Sequence, residues 1–354
     1  MSNFYKLRVA EIRRETEDAV SVAFNIDDKF KSSFNYKPGQ YLTLKFLING
    51  VEERRSYSLC SSPFQDELMR VAVKKVEKGK VSTYINEHLN EGDEVEVMAP
   101  QGNFVLDLNE SNEKLYVAFA SGSGITPILS MINSVLIKEN NSRFVLFYGN
   151  RSPENTIFKS QLDQLLGDRL TVQYIYSRTE GSDELYTGRI DKEKANLLLR
   201  GDIDLLRAEG FYLCGPEEMI LNVSNCLKEF DVNKEKVFYE LFTTPVLFAE
   251  KENVQKDDSD FTGQAKIKVI CDDEEVEFNL DSDGDVILDA AIEYDLDLPF
   301  SCKGGVCCTC KAKVVEGKVT MDANYALSDA EVEEGFVLTC QAHPASSYVV
   351  VDYD

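Results

Sequence analysis

The chain is poor in basic residues and in histidine, and it has no long apolar run. Its 354 residues include 38 Lys and Arg against 62 Asp and Glu, which gives a formal net charge of −24. A surface this acidic repels the phosphates of nucleic acids and of anionic membranes. Neither is therefore expected as a partner. No stretch approaches the roughly 18 uninterrupted apolar residues of a membrane-spanning helix. The two histidines, His88 and His343, lie far apart in sequence, so a histidine-based catalytic triad or a multi-histidine metal site is not expected.

The amino terminus also lacks a targeting pattern. Residues 1–6 show no basic segment followed by an apolar one, so no signal peptide is expected and the predicted location is cytoplasmic. In a chain expected inside the cell, nine cysteines indicate thiol or metal chemistry rather than disulfides. Four of them, Cys302, Cys307, Cys308 and Cys310, lie within nine residues, and cysteines that merely pack in a core do not cluster in this way.

The sequence pattern changes twice along the chain, whose length suits two or three domains. Short apolar runs separated by polar turns predict an antiparallel β-barrel over residues 1–107. Continuous apolar runs alternating with helical patterns predict a parallel α/β sheet over 108–242. A charged stretch predicts a mobile linker over 243–262, followed by a compact unit over 263–354. The clearest helices of the middle domain are predicted at Pro127–Lys138 and Glu217–Phe230.

The negative charge is concentrated in the last unit. Residues 263–354 contain 20 acidic and 6 basic residues, a net charge of −14, whereas the first 242 residues carry −7. This asymmetry favours a separate C-terminal module whose partner offers a basic surface. A general contribution of the charge to solubility is the alternative.

The strongest motif is a set of cysteines in that module. Cys302, Cys307 and Cys310 have C-x4-C-x2-C spacing, and Cys340 follows at a distance. Plant-type [2Fe–2S] ferredoxins use this pattern, in which a loop around the cluster supplies three thiolates and a distant cysteine supplies the fourth. The sequence therefore predicts these four cysteines as cluster ligands.

The rest of the loop is compatible with that prediction. Gly304 and Gly305 allow a sharp turn and bring backbone amides near the sulfurs, which tunes the reduction potential. Cys308 is expected to be a small residue packed beside the cluster, with a ligand role as the alternative. A zinc site is the competing interpretation, but such sites usually have paired C-x2-C knuckles.

Five further motifs carry a resemblance to a known family. They are Arg55-Ser56-Tyr57-Ser58, Gly79-Lys80-Val81-Ser82, Pro100-Gln101-Gly102-Asn103-Phe104, Gly122-Ser123-Gly124-Ile125-Thr126-Pro127 and Cys214-Gly215-Pro216. With the cysteine loop, and in this order, they resemble the oxygenase reductases of the ferredoxin-NADP reductase superfamily over essentially the whole chain. The resemblance implies a multidomain fold: an antiparallel flavin-binding β-barrel, a parallel α/β nicotinamide-binding domain, and an α+β, β-grasp-like [2Fe–2S] ferredoxin domain.

The barrel motifs have the residue types that a flavin requires. An isoalloxazine needs an aromatic ring, hydroxyls near its reactive N5 edge and a cation for its phosphate, and residues 55–58 supply them from alternate faces of a strand. Gly79 opens a predicted helix whose free amides, with the Ser82 hydroxyl, suit the pyrophosphate. An ordinary strand and an ordinary helix cap are the alternatives. The flavin contacts implied by the resemblance are Arg55, Ser56, Tyr57, Ser58, Val73, Lys74, Gly79, Val81, Ser82, Thr83 and Phe242.

Two motifs of the middle domain suit a nicotinamide nucleotide. Gly122 and Gly124 let phosphates approach the backbone, and the pattern is G-x-G-x-x-P rather than the G-x-G-x-x-G of Rossmann dehydrogenases. Ser177 and Arg178 follow a strand where NADPH-using relatives bind the 2′-phosphate, so NADPH is favoured over NADH, with a surface arginine as the alternative. The resemblance places Thr126 near the flavin, and the nucleotide contacts that it implies are Gly122, Gly124, Pro127, Ser177, Arg178, Cys214, Gly215 and Pro216.

The resemblance also implies catalytic positions at Ser58, Cys214 and Glu240, and Phe242 is either a flavin neighbour or part of the core. The expected function is reduction of FAD by NADPH or NADH, followed by single-electron transfer through the [2Fe–2S] cluster to an oxygenase. The expected partner is a multisubunit diiron oxygenase with a basic docking surface.

Two groups of the family share this domain order. The cysteine loop and the barrel end containing Gly102 favour the FAD-containing reductases of the phenylacetyl-CoA epoxidase type over the FMN-containing phthalate dioxygenase reductase type. The sequence leaves two further functions open, namely a general ferredoxin or flavodoxin reductase, and an electron carrier without a functional flavin site.

Overall fold

The N-terminal part of the chain forms an antiparallel sheet that closes into a barrel. A computed structural model describes residues 4–65, 68–179, 183–247, 261–272, 274–294 and 296–354. The sheet is built from β1 (Phe4–Thr16), β2 (Ala19–Asn25), β3 (Tyr41–Ile48), β4 (Val51–Ser58), β5 (Met69–Lys74) and β6 (Glu94–Met98). The strand order is β4-β3-β6-β1-β2-β5, and the edge strands β4 and β5 contact each other. Along β1, Leu7 and Val9 are buried while Lys6 and Arg8 are exposed, the period of two expected when one face of a strand meets the core. Helix α1 (Lys80–Glu87) packs against β5 and β3.

The middle domain is a parallel sheet with helices, as predicted. Its strands are β7 (Leu115–Ser121), β8 (Arg143–Asn150), β9 (Leu170–Tyr176), β10 (Gly210–Cys214) and β11 (Val237–Glu240). Its helices are α2 (Ile125–Lys138), α3 (Lys159–Leu165), α4 (Lys192–Gly201) and α5 (Glu217–Glu229). In the strand order β11-β10-β7-β8-β9, the strands β8 and β9 lie on one side of β7, and β10 and β11 lie on the other. The chain therefore changes side between β7 and β10, and open parallel sheets bind ligands in the crevice at such a switch point.

Both predicted helices are present, with shifted ends. Helix α2 begins at Ile125 rather than Pro127, because the 3₁₀ turn Gly122–Gly124 runs directly into it. Pro127 still lies in the first turn, where its missing N–H costs no helical hydrogen bond. Helix α5 ends one residue early, at Glu229, and buries an apolar face that includes Ile220, Val223 and Leu227.

The C-terminal module is a mixed sheet with short helices. Its strands are β12 (Gln264–Cys271), β13 (Glu274–Asp281), β14 (Lys311–Glu316), β15 (Val319–Met321), β16 (Phe336–Leu338), β17 (Ala342–Pro344) and β18 (Tyr348–Asp352), and its helices are α6 (Ile287–Ile292) and α7 (Asp329–Glu333). The main sheet has the order β13-β12-β18-β14-β16, with β12 and β18 parallel. The cysteine loop connects α6 to β14, and Cys340 lies between β16 and β17. These sheets confirm the predicted fold class.

The predicted domain boundaries fall between these sheets and stay predictions. Of the predicted linker 243–262, residues 248–260 lie outside the described residues. Across the part of the chain that the structure describes, no helix combines the length and the apolar character required to cross a membrane.

Candidate functional site

Three strand ends bring the predicted catalytic residues together. Strands β10 and β11 pair so that Cys214 lies opposite Glu240, and Ser58 Oγ, at the end of β4, donates a hydrogen bond of 2.8 Å to Glu240 Oε2. Burial raises the pKa of Glu240 to about 8, although the hydrogen bond from Ser58 opposes the rise. Burial, reinforced by the nearby Glu240, also raises the pKa of Cys214. Near neutral pH the site therefore holds a neutral thiol and a carboxyl group that retains a proton.

A cleft of about 620 Å³ opens beside these residues. It lies between the barrel, the chain after β11 and the cysteine loop, and its walls include Arg55, Ser58, Glu240, Phe242, Cys302 and Cys307. Phe242 is 43% exposed and lines the cleft, so it is not a core residue. Side chains predicted to bind the flavin and side chains predicted to bind the cluster thus face one cleft.

The phosphate end of a flavin fits beside the N-terminus of α1. Glu53 accepts a hydrogen bond of 2.6 Å from Lys80 Nζ and pairs with Arg55 Nη2 at 3.3 Å, so it holds two cations near that helix end. The hydrogen bond from Lys80 lowers the pKa of Glu53. Gly79 is the N-cap and makes no side-chain cap bond, which leaves the first amides of α1 available to an anion.

Several predicted flavin residues have other roles in the structure. The hydroxyl of Ser82 accepts a hydrogen bond from the Val76 amide at 3.1 Å and shapes the turn before α1. Val73 and Val81 belong to the barrel core, so only their backbone is available to a flavin. Ser56 Oγ donates to Ser301 Oγ at 2.9 Å and therefore faces the C-terminal module. The remaining predicted contacts, Tyr57, Lys74 and Thr83, lie on β4, β5 and α1, and Lys74 pairs with Asp18 at 3.5 Å.

The two nicotinamide motifs meet at the switch point of the parallel sheet. They follow β7 and β10, which pair directly, with Cys214 opposite Ala120. A Cβ on Gly124 would lie 2.0 Å from the Cys214 carbonyl oxygen, so only glycine permits this approach. Gly122 has a φ of 55° and no atom within 4 Å of its would-be Cβ, which leaves an open backbone surface for a phosphate. The residues present therefore fit a dinucleotide.

The remaining members of these motifs support that arrangement. Thr126 donates a hydrogen bond from Oγ1 to the Ser123 carbonyl oxygen at 3.0 Å, and Gly215 packs against Ser121. Ser177 and Arg178 directly follow β9, and the Arg178 amide donates to the Arg151 carbonyl oxygen at 2.9 Å. Two exposed arginines, from the ends of β8 and β9, therefore lie at the same edge of the sheet.

The four predicted cluster cysteines converge in the loop and beside it. Cys302 Sγ and Cys307 Sγ are 3.1 Å apart. Hydrogen bonds from Cys307 and Cys340 lower the pKa of Cys302, and a hydrogen bond from Cys340 lowers the pKa of Cys310. The Gly304 amide donates to Cys302 Sγ at 3.3 Å. Four thiols with a donating amide are the set that a two-iron cluster takes.

Sequence reasoning missed the residues that join the barrel to the cysteine loop. Tyr41 Oη accepts a hydrogen bond from the Cys308 amide at 3.0 Å and lies 3.2 Å from Thr309 Oγ1. A Cβ on Gly304 would lie 1.9 Å from Thr244 Oγ1, so the loop also packs closely on the chain after β11. The glycine at 304 was the only local signal, because the other contacts join residues distant in sequence. Cys308, predicted to pack beside the cluster, donates from Sγ to the Ala326 carbonyl oxygen at 3.3 Å.

Family models match all three parts of the chain. Residues 6–106 match an oxidoreductase FAD-binding domain, residues 119–225 an oxidoreductase NAD-binding domain, and residues 269–345 a 2Fe-2S iron-sulfur cluster binding domain. The FAD, nicotinamide and [2Fe–2S] cofactors predicted from the sequence are thereby confirmed.

Characterised relatives align along the full length. One component of the 1,2-phenylacetyl-CoA epoxidase of Escherichia coli (strain K12) is 40% identical over 358 positions, which cover 100% of this chain and 99% of the relative. The ferredoxin reductase component of 3-ketosteroid-9-alpha-monooxygenase from Mycolicibacterium smegmatis is 32% identical, and the match covers 100% of this chain and 98% of the relative.

Solved structures share the fold. Phthalate dioxygenase reductase superposes with a TM-score of 0.59 at 22% identity, covering 99% of this chain and 98% of its own. An intact type IV self-sufficient cytochrome P450 monooxygenase superposes with a TM-score of 0.72 at 21% identity, over 98% of this chain and 41% of that one. The chain belongs to the oxygenase reductases of the ferredoxin-NADP reductase superfamily with a C-terminal [2Fe–2S] ferredoxin domain, and it is an NAD(P)H-dependent oxidoreductase.

Proposed function

We propose that this protein is the reductase component of a phenylacetyl-CoA epoxidase-type oxygenase. The support is the 40% identity to the Escherichia coli epoxidase component along the whole chain. The observation that carries the electron path is the single cleft shared by the flavin and cluster residues. When bound, FAD supplies the conversion of one hydride into two single electrons, and the [2Fe–2S] cluster supplies a one-electron relay.

Residues of this chain bind the cofactors, orient them and hold a proton. The first amides of α1, with Arg55, bind the flavin phosphates, and Tyr57 supplies the ring face. Gly122 and Gly124 admit the nucleotide, and Cys214 limits the space beside its nicotinamide. The protonated Glu240, which accepts the hydrogen bond from Ser58, places a polar hydrogen at the cleft wall, where a proton can be held. The ligands of the cluster are Cys302, Cys307, Cys310 and Cys340.

The preferred nucleotide is NADPH. Arg151 follows β8 and Arg178 follows β9, so both lie beyond the carboxyl ends of neighbouring strands, at the edge of the sheet that also carries the nicotinamide motifs. Guanidinium groups bind phosphate oxygens in a bidentate manner, so this pair suits the extra 2′-phosphate of NADPH.

The partner is a multisubunit diiron oxygenase with a basic docking surface, and the location is cytoplasmic. The negative charge of residues 263–354 supports this choice of surface, since charged patches steer encounter. The described acidic side chains do not all share one face. Glu274 and Glu275 are exposed, whereas Glu331 accepts a hydrogen bond of 2.7 Å from Asn103 of the barrel.

Reconstitution tests this proposal. The purified protein is mixed with the catalytic component of a phenylacetyl-CoA epoxidase or, in parallel, of a phthalate dioxygenase, and product is measured per NADPH consumed. Coupled turnover is expected with the first component, and coupling only with the second would refute the assignment.

A change of ionic strength tests the acidic docking surface. Raising the ionic strength from about 0.01 to 0.15 M shortens the Debye length from about 30 to 8 Å. Partner reduction should slow while flavin turnover stays constant, and an unchanged partner rate would refute the acidic docking surface.

A further inference from the structure

One arginine of the barrel is buried in the surface of the ferredoxin domain. Arg54, on β4, has a side chain only 5% exposed. Its Nη1 donates to the Leu298 carbonyl oxygen at 3.0 Å, and its Nη2 donates to Asp297 Oδ1 at 3.0 Å. Both acceptors belong to the C-terminal module, so the planar guanidinium bridges two domains with two hydrogen bonds.

The remaining faces of this guanidinium are also occupied. Nε donates to Glu52 Oε1 at 2.6 Å, and the group lies 4.3 Å from the centroid of the Phe300 ring. A buried cation is tolerated when its charge is paired and its donors are satisfied, and this combination of fork and stacked ring suits arginine rather than lysine. The contact is therefore specific to the residue type and to the docked arrangement.

The position of this contact connects it to the electron path. Asp297 to Phe300 lead directly into Ser301, whose hydroxyl bonds Ser56, and then into Cys302. The far end of the loop is fixed separately, by the Cys308 amide on Tyr41. The Arg54 contact thus fixes the first turn of the cysteine loop on the barrel, beside the cleft that Arg55 and Ser58 line.

We propose that Arg54 is a positioning residue that clamps the ferredoxin domain onto the barrel, so that the cysteine loop faces the flavin cleft. The proposal rests on the proposed electron path from FAD to the cluster. Each NADPH oxidised would deliver a hydride, which is two electrons and one proton. The electrons would pass to the cluster one at a time, the cluster giving the first to an electron acceptor before it takes the second, and the proton would return to water. Only those transfers depend on the clamp. The hydrogen-bond partners of the Arg54 side chain are Glu52, Leu298 and Asp297, and none of these three lies on β7 or β10, the strands that carry the nicotinamide motifs.

Stopped-flow spectroscopy of the holoprotein separates these steps. In Arg54→Ala, reduction of the flavin by NADPH should keep its rate, whereas bleaching of the cluster should slow by about tenfold or more, because the docked population falls. Small-angle X-ray scattering of the same samples should show a larger radius of gyration. Arg54→Lys should give an intermediate cluster rate, and Arg207→Ala, which removes an exposed arginine of the middle domain, should change nothing.

A second variant on the opposite side keeps the proposal testable if Arg54→Ala folds poorly. Asp297→Ala should also slow cluster bleaching, and its effect should be smaller in an Arg54→Ala background. Unchanged bleaching and radius in Arg54→Ala, equal effects of Asp297→Ala in both backgrounds, or an altered cluster EPR signal with an unchanged radius would overturn the clamp. No oxygenase is present, so a wrong partner assignment leaves this result unaffected. Loss of electron flow to the cluster in the wild type itself would instead refute the proposed function.

Discussion

Among the candidate catalytic residues, Glu240 has the pKa that lies closest to neutral pH. Its pKa is raised by burial from 4.5 to about 8. The folded protein thus holds this proton more tightly than the unfolded chain does. The associated stabilisation is complete below the unfolded pKa and is lost as the pH rises through about 8.

Glu240→Gln tests that environment, since glutamine keeps the shape and does not ionise. Between pH 5 and pH 9 the free energy of unfolding of the wild type should fall relative to Glu240→Gln, by up to about 4 kcal/mol. Urea unfolding of both proteins across this range measures the difference. Ser58→Ala, which removes the donor at 2.8 Å, should move the pKa higher still. Parallel pH curves for wild type and Glu240→Gln would contradict the assignment.

Arg178 tests the nucleotide preference at the same scale. Arg178→Ala should raise the KM for NADPH by about tenfold or more, because charge-assisted hydrogen bonds to the 2′-phosphate are lost, and should leave the KM for NADH nearly unchanged. Steady-state ferricyanide reduction with each nucleotide measures both constants. Arg207→Ala provides a matched loss of charge on the same domain. Equal rises for both nucleotides would remove the argument for NADPH.

At the scale of elements, the start of α2 and the end of β10 are locked together by a glycine. Gly124→Ala would place a Cβ 2.0 Å from the Cys214 carbonyl oxygen, so one of the two backbone segments would have to shift. The expected cost is about 1–3 kcal/mol of stability, together with weaker nucleotide binding. Thermal unfolding and nucleotide titration measure the two effects. Gly201→Ala, whose Cβ would meet no atom within 4 Å, is the control. A Gly124→Ala protein with unchanged stability and affinity would contradict this packing.

The elements were largely predictable because their signals are local. Residues 55–58 were expected on a strand and lie on β4, and the helix expected after Gly79 is α1. The start of α2 was misplaced because a proline marks a first turn without fixing which position it takes. Glu240 and Cys214 were inferred from family resemblance, and their juxtaposition required the register of β10 with β11.

At the scale of the whole molecule, contacts between domains were beyond sequence reasoning. Arg54 precedes the recognised motif by one residue, and its partner Leu298 lies 244 residues away. No local period marks an arginine that will be buried by another domain. The charge difference between residues 1–242 and residues 263–354 could be counted from the sequence. The placement of Glu331 against the barrel could not be predicted from it. Composition thus predicts that modules exist, and only the packed structure shows which side chains join them.

The central claim is that electrons reach the partner through the cluster, and Cys310→Ser tests it most directly. The variant and the control Cys271→Ser, which changes a buried cysteine outside the loop, are compared for cluster absorbance, NADPH-dependent ferricyanide reduction and turnover with the oxygenase component. Cys310→Ser is expected to lose the cluster absorbance and oxygenase turnover but largely to retain ferricyanide reduction, which draws electrons from the flavin. Cys271→Ser is expected to retain all three. Oxygenase turnover that survives without the cluster, or ferricyanide reduction that vanishes in a folded Cys310→Ser protein, would contradict it.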